Sequence, residues 1–240
     1  MDTRMRGDEP ELVTGHLDAR GQLWEVVVFL FLIVPSMALS FFAVKAGSLG
    51  FVLTAFATIL RDLSLVSLIL YFLWRNGEPV RLIGWTLDNV WREIALAVML
   101  FIPFFPGSIV LERLLRSIGF SVPSTPLPQS MPSATAPQVA LAGVLVVVVA
   151  ISEETIFRGY LLLRFKTFTA SSVVAVLLSA FIFSIGHGYE GSAGVVTVGV
   201  MGAIFALVYL WRGSLVAPTV MHFLQDFVTI VLAALLSTPK

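Results

Sequence analysis

The chain has 240 residues, 58% of them hydrophobic and 12% charged, with a mean hydropathy of +0.94. A soluble domain carries roughly a quarter charged residues, so most of this surface cannot face water and the chain reads as an integral membrane protein. Fifteen basic residues balance fifteen acidic ones, which leaves no field to attract nucleic acid, and the absence of cysteine excludes disulfides, thiolate metal sites and cysteine nucleophiles.

Residues 1–25 are polar and mixed in charge, lack the apolar core of a cleavable signal peptide, and read as a solvated cytoplasmic tail. Crossing the hydrocarbon takes about 20 apolar residues in a helix, and the hydropathy predicts about seven such spans. The first runs from Val26 to Val44 and the second from about Phe51 to Trp74, joined by a short hairpin, Ala46 to Gly50. Residues Arg81 to Glu93 mix Trp85, Leu87 and Trp91 with Asp88, Arg92 and Glu93, the composition of a segment at headgroup level. The third span, about Ile94 to Leu111, contains Pro103 and Pro106, which remove backbone donors and predict a kink. Five prolines between Ser117 and Gln138 predict one long irregular loop. The remaining spans are about Val139 to Ser152, Ser171 to Gly186, Ala193 to Trp211 and Leu215 to Leu236. The fourth is too short to cross unless its helix continues through Glu153, Glu154 and Arg158. The expected fold class is therefore all-α, a polytopic transmembrane helix bundle with an interfacial segment. It divides into the tail 1–25, N-terminal spans and Pro-rich loop 26–138, and a C-terminal membrane domain 139–236.

Seven spans place Arg4, Arg6, Arg20, Arg75, Arg81, Arg92, Arg158, Arg164, Lys166 and Arg212 on the side of the N-terminus, against Lys45, Arg113, Arg116 and Lys240 opposite. The positive-inside rule then predicts a cytoplasmic N-terminus and an exoplasmic C-terminus. No internal repeat suggests a transporter built from two related halves.

Ionisable residues inside a span are costly and persist where they face a bundle interior or a water cavity. In Ser152-Glu153-Glu154-Thr155-Ile156-Phe157-Arg158, Glu154 and Arg158 are four apart and can pair, while Glu153 points roughly 100° away and needs another partner. A membrane-edge charge cluster is the other reading. His187 ends an apolar span, where a lone histidine also fits a hydrogen-bonded structural role. His222 and Asp226 share one face of the last span at i, i+4, which suits either function or a helix-packing hydrogen bond. Arg61 and Asp62 are adjacent in the second span, do not share a face, and read as structural or topological. His16, in the tail, has no functional argument. Two carboxylates, two imidazoles, an arginine and a further carboxyl on three apolar helices are hydrolytic equipment, since a desolvated carboxylate becomes basic enough to take a proton from water. The zinc HExxH, the rhomboid-type GxSG and the aspartyl GxGD signatures are absent.

At these residues the chain resembles the CPBP family of intramembrane proteases, also called the type II CAAX prenyl protease or Abi family. The family pattern of EExxxR, FxxxH and Hxxx followed by Asn or Asp looks like Glu153-Glu154-xxx-Arg158, Phe183-xxx-His187 and His222-xxx-Asp226, in order and each on its own predicted helix. The similar region spans about Val139 to Leu236. The resemblance implies a helical bundle that cleaves peptide bonds at or near the membrane. Glu153 would activate water, His187 would help hold it, His222 would stabilise the oxyanion, and Glu154 with Arg158 would orient the site. It leaves two mechanisms open, a divalent metal such as zinc held by Glu153, His187 and His222, or metal-free water activated by glutamate. The eukaryotic relatives tend to have Asn where Asp226 stands, and an ionised Asp cannot donate to an oxyanion. Asp226 is then protonated, orients His222, or supports a metal, and orienting His222 costs least.

Expected partners are the lipid bilayer and a membrane-associated peptide or protein. Prenylated CAAX proteins are the eukaryotic substrates, whereas size and lack of targeting features fit a prokaryotic plasma membrane, where bacteriocin-like peptides or membrane proteins are equally suitable. The alternative class is a non-enzymatic membrane protein, a proton-coupled carrier or an immunity protein, using the same buried charges.

Overall fold

The structure, a computed structural model, describes residues 19–46, 50–122 and 131–236. Residues 1–18 of the expected tail, with His16, most of the first hairpin and the centre of the Pro-rich loop lie outside the described residues.

The regular structure of the described residues is helical. Helix α1 spans Ala19–Ala46, α2 Phe51–Arg75 and α3 Val90–Ser117. Helix α4 runs Ala136–Thr169 and α7 Val216–Leu236, with α5 at Ser172–Ile185 and α6 at Gly191–Arg212. Six helices are long and apolar enough to cross a membrane, and α5 is a shorter apolar helix. Residues 19–25, grouped above with the polar tail, open α1, and α3 begins at Val90 and continues helical through Pro103 and Pro106. The fourth span does continue beyond Ser152, as its missing length demanded, through Glu153, Glu154 and Arg158 to Thr169. The segment expected at headgroup level is a 3₁₀ turn, Val80–Ile83, followed by a loop. Ile83 is buried under it while Leu87 and Trp91 are exposed.

Contacts at the helix ends sort into two faces. On one, Asn76 beyond α2 donates to Glu25 near the start of α1 at 3.1 and 3.2 Å, and Arg164 near the end of α4 pairs with Glu78. There Arg212 at the end of α6 also donates to Glu93 in the first turn of α3, and the Leu215 amide donates to the Gly84 carbonyl at 2.9 Å. On the other face, the Ser121 amide beyond α3 donates to Ser192 Oγ at 2.8 Å in the first turn of α6. Helices α1, α3, α5 and α7 therefore run one way and α2, α4 and α6 the other, seven alternating helices among the described residues. Helix α5 has 14 residues, about 21 Å at 1.5 Å per residue, against a hydrocarbon core of about 30 Å. Glu154 precedes Thr169 by as many residues as His187 follows Ser172, so the antiparallel α4–α5 hairpin brings His187 to the depth of Glu154.

Lipid tails are as apolar as leucine, so helices here associate by close packing and hydrogen bonds rather than by exclusion of water. Three buried clusters result. One joins α1, α2, α4, α5 and α6 around Phe29, Phe157, Tyr160 and Phe183, one joins α3, α6 and α7 around Phe104, Phe205 and Met221, and one joins α2, α4 and α7 around Ala55, Val146 and Val231. Glu153, Glu154 and His222 lie where the three meet.

Candidate active site

Helix α4 changes winding at the site. Glu154–Leu161 forms π-helix, a local widening frequent at functional positions because it re-aims side chains within a continuous helix. The Thr155 hydroxyl donates to the Ile151 carbonyl at 2.6 Å and accepts from the Trp85 indole at 3.0 Å. Ser179 of α5 donates to the Phe157 carbonyl at 2.7 Å, so backbone groups displaced by the widening find partners in neighbouring elements. Gly159 completes the fit, because a Cβ there would stand 2.9 Å from the Ile83 carbonyl oxygen. Helix α7 widens likewise at Phe227–Leu232, directly after Asp226.

The two adjacent glutamates have opposite environments. Glu154 is fully buried; its Oε1 accepts from Arg158 at 2.9 Å and from His222 Nδ1 at 2.8 Å. Glu153 keeps 12% of its side chain exposed, and its Oε2 stands 3.7 Å from His222 Nε2, buried and without a hydrogen-bond partner. The i, i+4 pairing and the divergence of Glu153 are thus both present. Because the Glu154 carboxylate can only accept, Nδ1 of His222 carries the proton of that bond, and Nε2 is turned to Glu153 and to Asp226 Oδ2, which lies 3.5 Å away. The hydrogen bond that orients His222 therefore runs to Glu154, while Asp226 sits at ion-pair distance from the opposite nitrogen.

Aromatic rings hold this arrangement. Phe205 stacks on the His222 ring at 5.6 Å and Phe183 meets it edge-on at 6.1 Å. The Arg158 guanidinium lies over Phe183 at 4.2 Å and near Phe205 at 5.4 Å, a cation–π setting that partly replaces the solvation of a fully buried arginine. Gly202 makes room for it, since a Cβ there would stand 3.0 Å from the guanidinium and 2.9 Å from Phe183.

His187 is at the edge of the cluster. Its Nδ1 donates to the Phe183 carbonyl at 3.0 Å, which leaves Nε2 as its acceptor, and its ring lies 4.9 Å from Phe183 and 6.0 Å from Tyr189. Glu153, Glu154, Arg158, His222 and Asp226 come together directly, and His187 joins them through Phe183. Reading the sequence as structural at Arg61 and Asp62 left out a pair that lies close enough to Glu153 to interact with it electrostatically, Asp62 also with His222. An Arg-Asp pair within an apolar span was the available signal, but the sequence does not say which side of α2 meets α4.

A metal ion on Glu153, His187 and His222 is a poor fit to this geometry. Among the described residues no three His, Asp or Glu side chains form a group able to hold one, and His187 reaches the cluster only through Phe183, although the Nδ1 bonds of both histidines leave each Nε2 free.

Fold and site define a polytopic helical membrane protein with a carboxylate–imidazole centre buried at the junction of α4, α5 and α7. Residues 135–228 match the family model described as Type II CAAX prenyl endopeptidase Rce1-like, in keeping with the family that the three motifs resemble, and this stretch contains all six site residues. No curated protein and no solved structure matches the chain.

Proposed function

We propose that the protein is an intramembrane endopeptidase that hydrolyses peptide bonds of membrane-associated proteins or peptides, with water activated by Glu153. The observation that carries this reading is the division of labour between the paired glutamates. Glu154 is fully enclosed, with Oε1 held by Arg158 and His222 and Oε2 sealed in the interior, whereas Glu153 makes no hydrogen bond and presents a partly accessible carboxylate beside His222 Nε2. A general base needs that combination of free lone pairs, restricted solvation and an adjacent electrophile-binding group.

Glu153 takes a proton from water as the water oxygen bonds to the peptide carbonyl carbon, and His187, held by its Nδ1 bond to the Phe183 carbonyl, flanks the site. The oxyanion that forms is stabilised from the His222 side, with Glu154 and Arg158 fixing the imidazole. Collapse breaks the C–N bond, and the proton held by Glu153 passes to the leaving amine. Asp226 supplies negative charge next to Nε2 and favours a proton there, which is the form able to donate to an oxyanion. No step is routed through a metal. We assign the face carrying Arg75, Arg81, Arg164, Lys166 and Arg212 to the cytoplasm of a prokaryotic plasma membrane, on the distribution of basic residues.

Purified protein offered a membrane-associated peptide library tests the reading. Glu153→Ala is expected to lose cleavage by about 10²–10⁴-fold, the usual worth of a general base, with cleavage by wild type persisting in a strong chelator. Full activity of Glu153→Ala would overturn the peptidase reading, and loss of wild-type activity in chelator would overturn its metal-free form.

A further inference from the structure

Arg61 and Asp62 form an ion pair inside α2 that the hydrolytic roles above leave unused. Arg61 reaches Asp62 Oδ1 through both Nε and a terminal nitrogen at 2.8 Å. Oδ1 is thereby engaged, while Oδ2, on a residue only 1% exposed, is buried with no hydrogen-bond partner.

Helix register puts that free oxygen opposite Glu153. Helices α2 and α4 run in the same direction, and Ala55 of α2 shares a cluster with Ala142 and Val146 of α4. Seven residues are two helical turns, so the same face carries Asp62 one step beyond Ala55 and Glu153 one step beyond Val146. The Phe72 ring stacking on Tyr160 at 6.3 Å closes the bracket towards the other end of α2. Asp62 interacts electrostatically with both Glu153 and His222.

Two buried carboxylate oxygens, Asp62 Oδ2 and Glu153 Oε2, thus stand without donors on facing turns, and buried acceptors of this kind are ordinarily satisfied. A water molecule has one hydrogen for each. We propose that Asp62 is a further catalytic residue, a second acceptor that orients the hydrolytic water beside Glu153, with Arg61 as the positioning residue that holds it. The inference rests on the peptidase reading. Water donates one hydrogen to each carboxylate and gives up the one shared with Glu153. Its oxygen bonds to the carbonyl carbon while Asp62 keeps the other O–H and ends the step unchanged. Glu153 passes its proton to the leaving amine as the C–N bond breaks.

Asp62→Asn inverts this arrangement. Arg61 demands the oxygen of the amide, so the NH₂ must point where Oδ2 pointed, replacing an acceptor by a donor. Full-length protein in proteoliposomes, given a membrane-associated peptide cleaved by wild type, should show kcat lowered on the order of 100-fold, the usual cost of misplacing a reacting group, with KM essentially unchanged. Arg61→Met combined with Asp62→Ala removes the acceptor together with its cation, so that neither is left buried and unpaired, and should show the same loss. Wild-type kcat in either folded variant, a loss confined to KM, or failure of both variants to fold overturns the assignment. An active Asp62→Asn beside an inactive Glu153→Ala overturns it alone, whereas a wild type that cleaves nothing, or a Glu153→Ala that cleaves, overturns the peptidase reading and this assignment with it.

Discussion

Two neighbouring carboxyl groups, Glu153 and Glu154, differ chemically because a helix points adjacent side chains about 100° apart. Glu154 meets Arg158 one turn on and His222 across the interface, both within 2.9 Å, and Arg158 has no other carboxylate within ion-pair distance among the described residues. Removing one member of a buried pair strands the other charge, at a cost of about 3–5 kcal/mol. Glu154→Ala should therefore lower the unfolding midpoint in detergent as well as abolish cleavage, whereas Glu153→Ala, which removes a carboxylate that makes no hydrogen bond and stands 3.7 Å from a His222 already held by Glu154, should lose cleavage and keep the midpoint. Equal midpoints for the two variants would refute the division of roles. The EExxxR spacing made the Glu154–Arg158 pair legible in the sequence. That His222 takes its orienting bond from Glu154 rather than Asp226 was not legible, because i, i+4 spacing identifies neighbours on one helix and cannot rank them against a partner 68 residues away.

At the scale of elements, the α5–α6 seam shows how small residues build a site. Gly199 lies against Ser184, and Gly202 against Phe183 and Arg158, so α6 approaches closely enough for Phe205 to reach His222. Close backbone approach through small residues is the usual means of helix association in lipid. Gly202→Ala would press a methyl group to 2.9 Å from Phe183, and overpacking of this kind costs about 1–3 kcal/mol. Reduced thermal stability with a matching loss of activity is expected; an unchanged unfolding midpoint would show that the seam yields without strain. The shortness of α5 belongs to the same logic. A full-length span would carry His187 past the depth of Glu154, whereas a 14-residue helix ends where the α4–α5 hairpin sets the two level.

Across the described residues, seven helices of alternating direction put the start of α1 and the end of α7 on opposite faces. The face with Glu25, Glu78, Arg164, Glu93 and Arg212 is tied by buried and part-buried ion pairs, and it also carries the 3₁₀ turn and the loop after it, whose Trp85 bonds to Thr155 beside the site. Reporters fused ahead of Met1 and after Lys240 should be active on opposite sides of the membrane, with the N-terminal one cytoplasmic. Activity of both on one side would contradict the pass count, and an exoplasmic N-terminal reporter would reverse the assigned orientation.

Membrane residence, helical class, the continuation of the fourth span past Glu153 and the three motifs were all determined by the sequence alone. Each follows from hydropathy or from spacing along one helix, and both are local properties of the chain. Tertiary structure alone decided that Asp62 comes within electrostatic reach of Glu153, that Phe205 and Gly202 frame His222 and Arg158, and that His187 sits at the edge of the cluster rather than at its centre. Those contacts depend on which faces of separate helices meet. In lipid that choice is made by small residues, widened helical turns and buried polar partners, and apolar periodicity does not encode it.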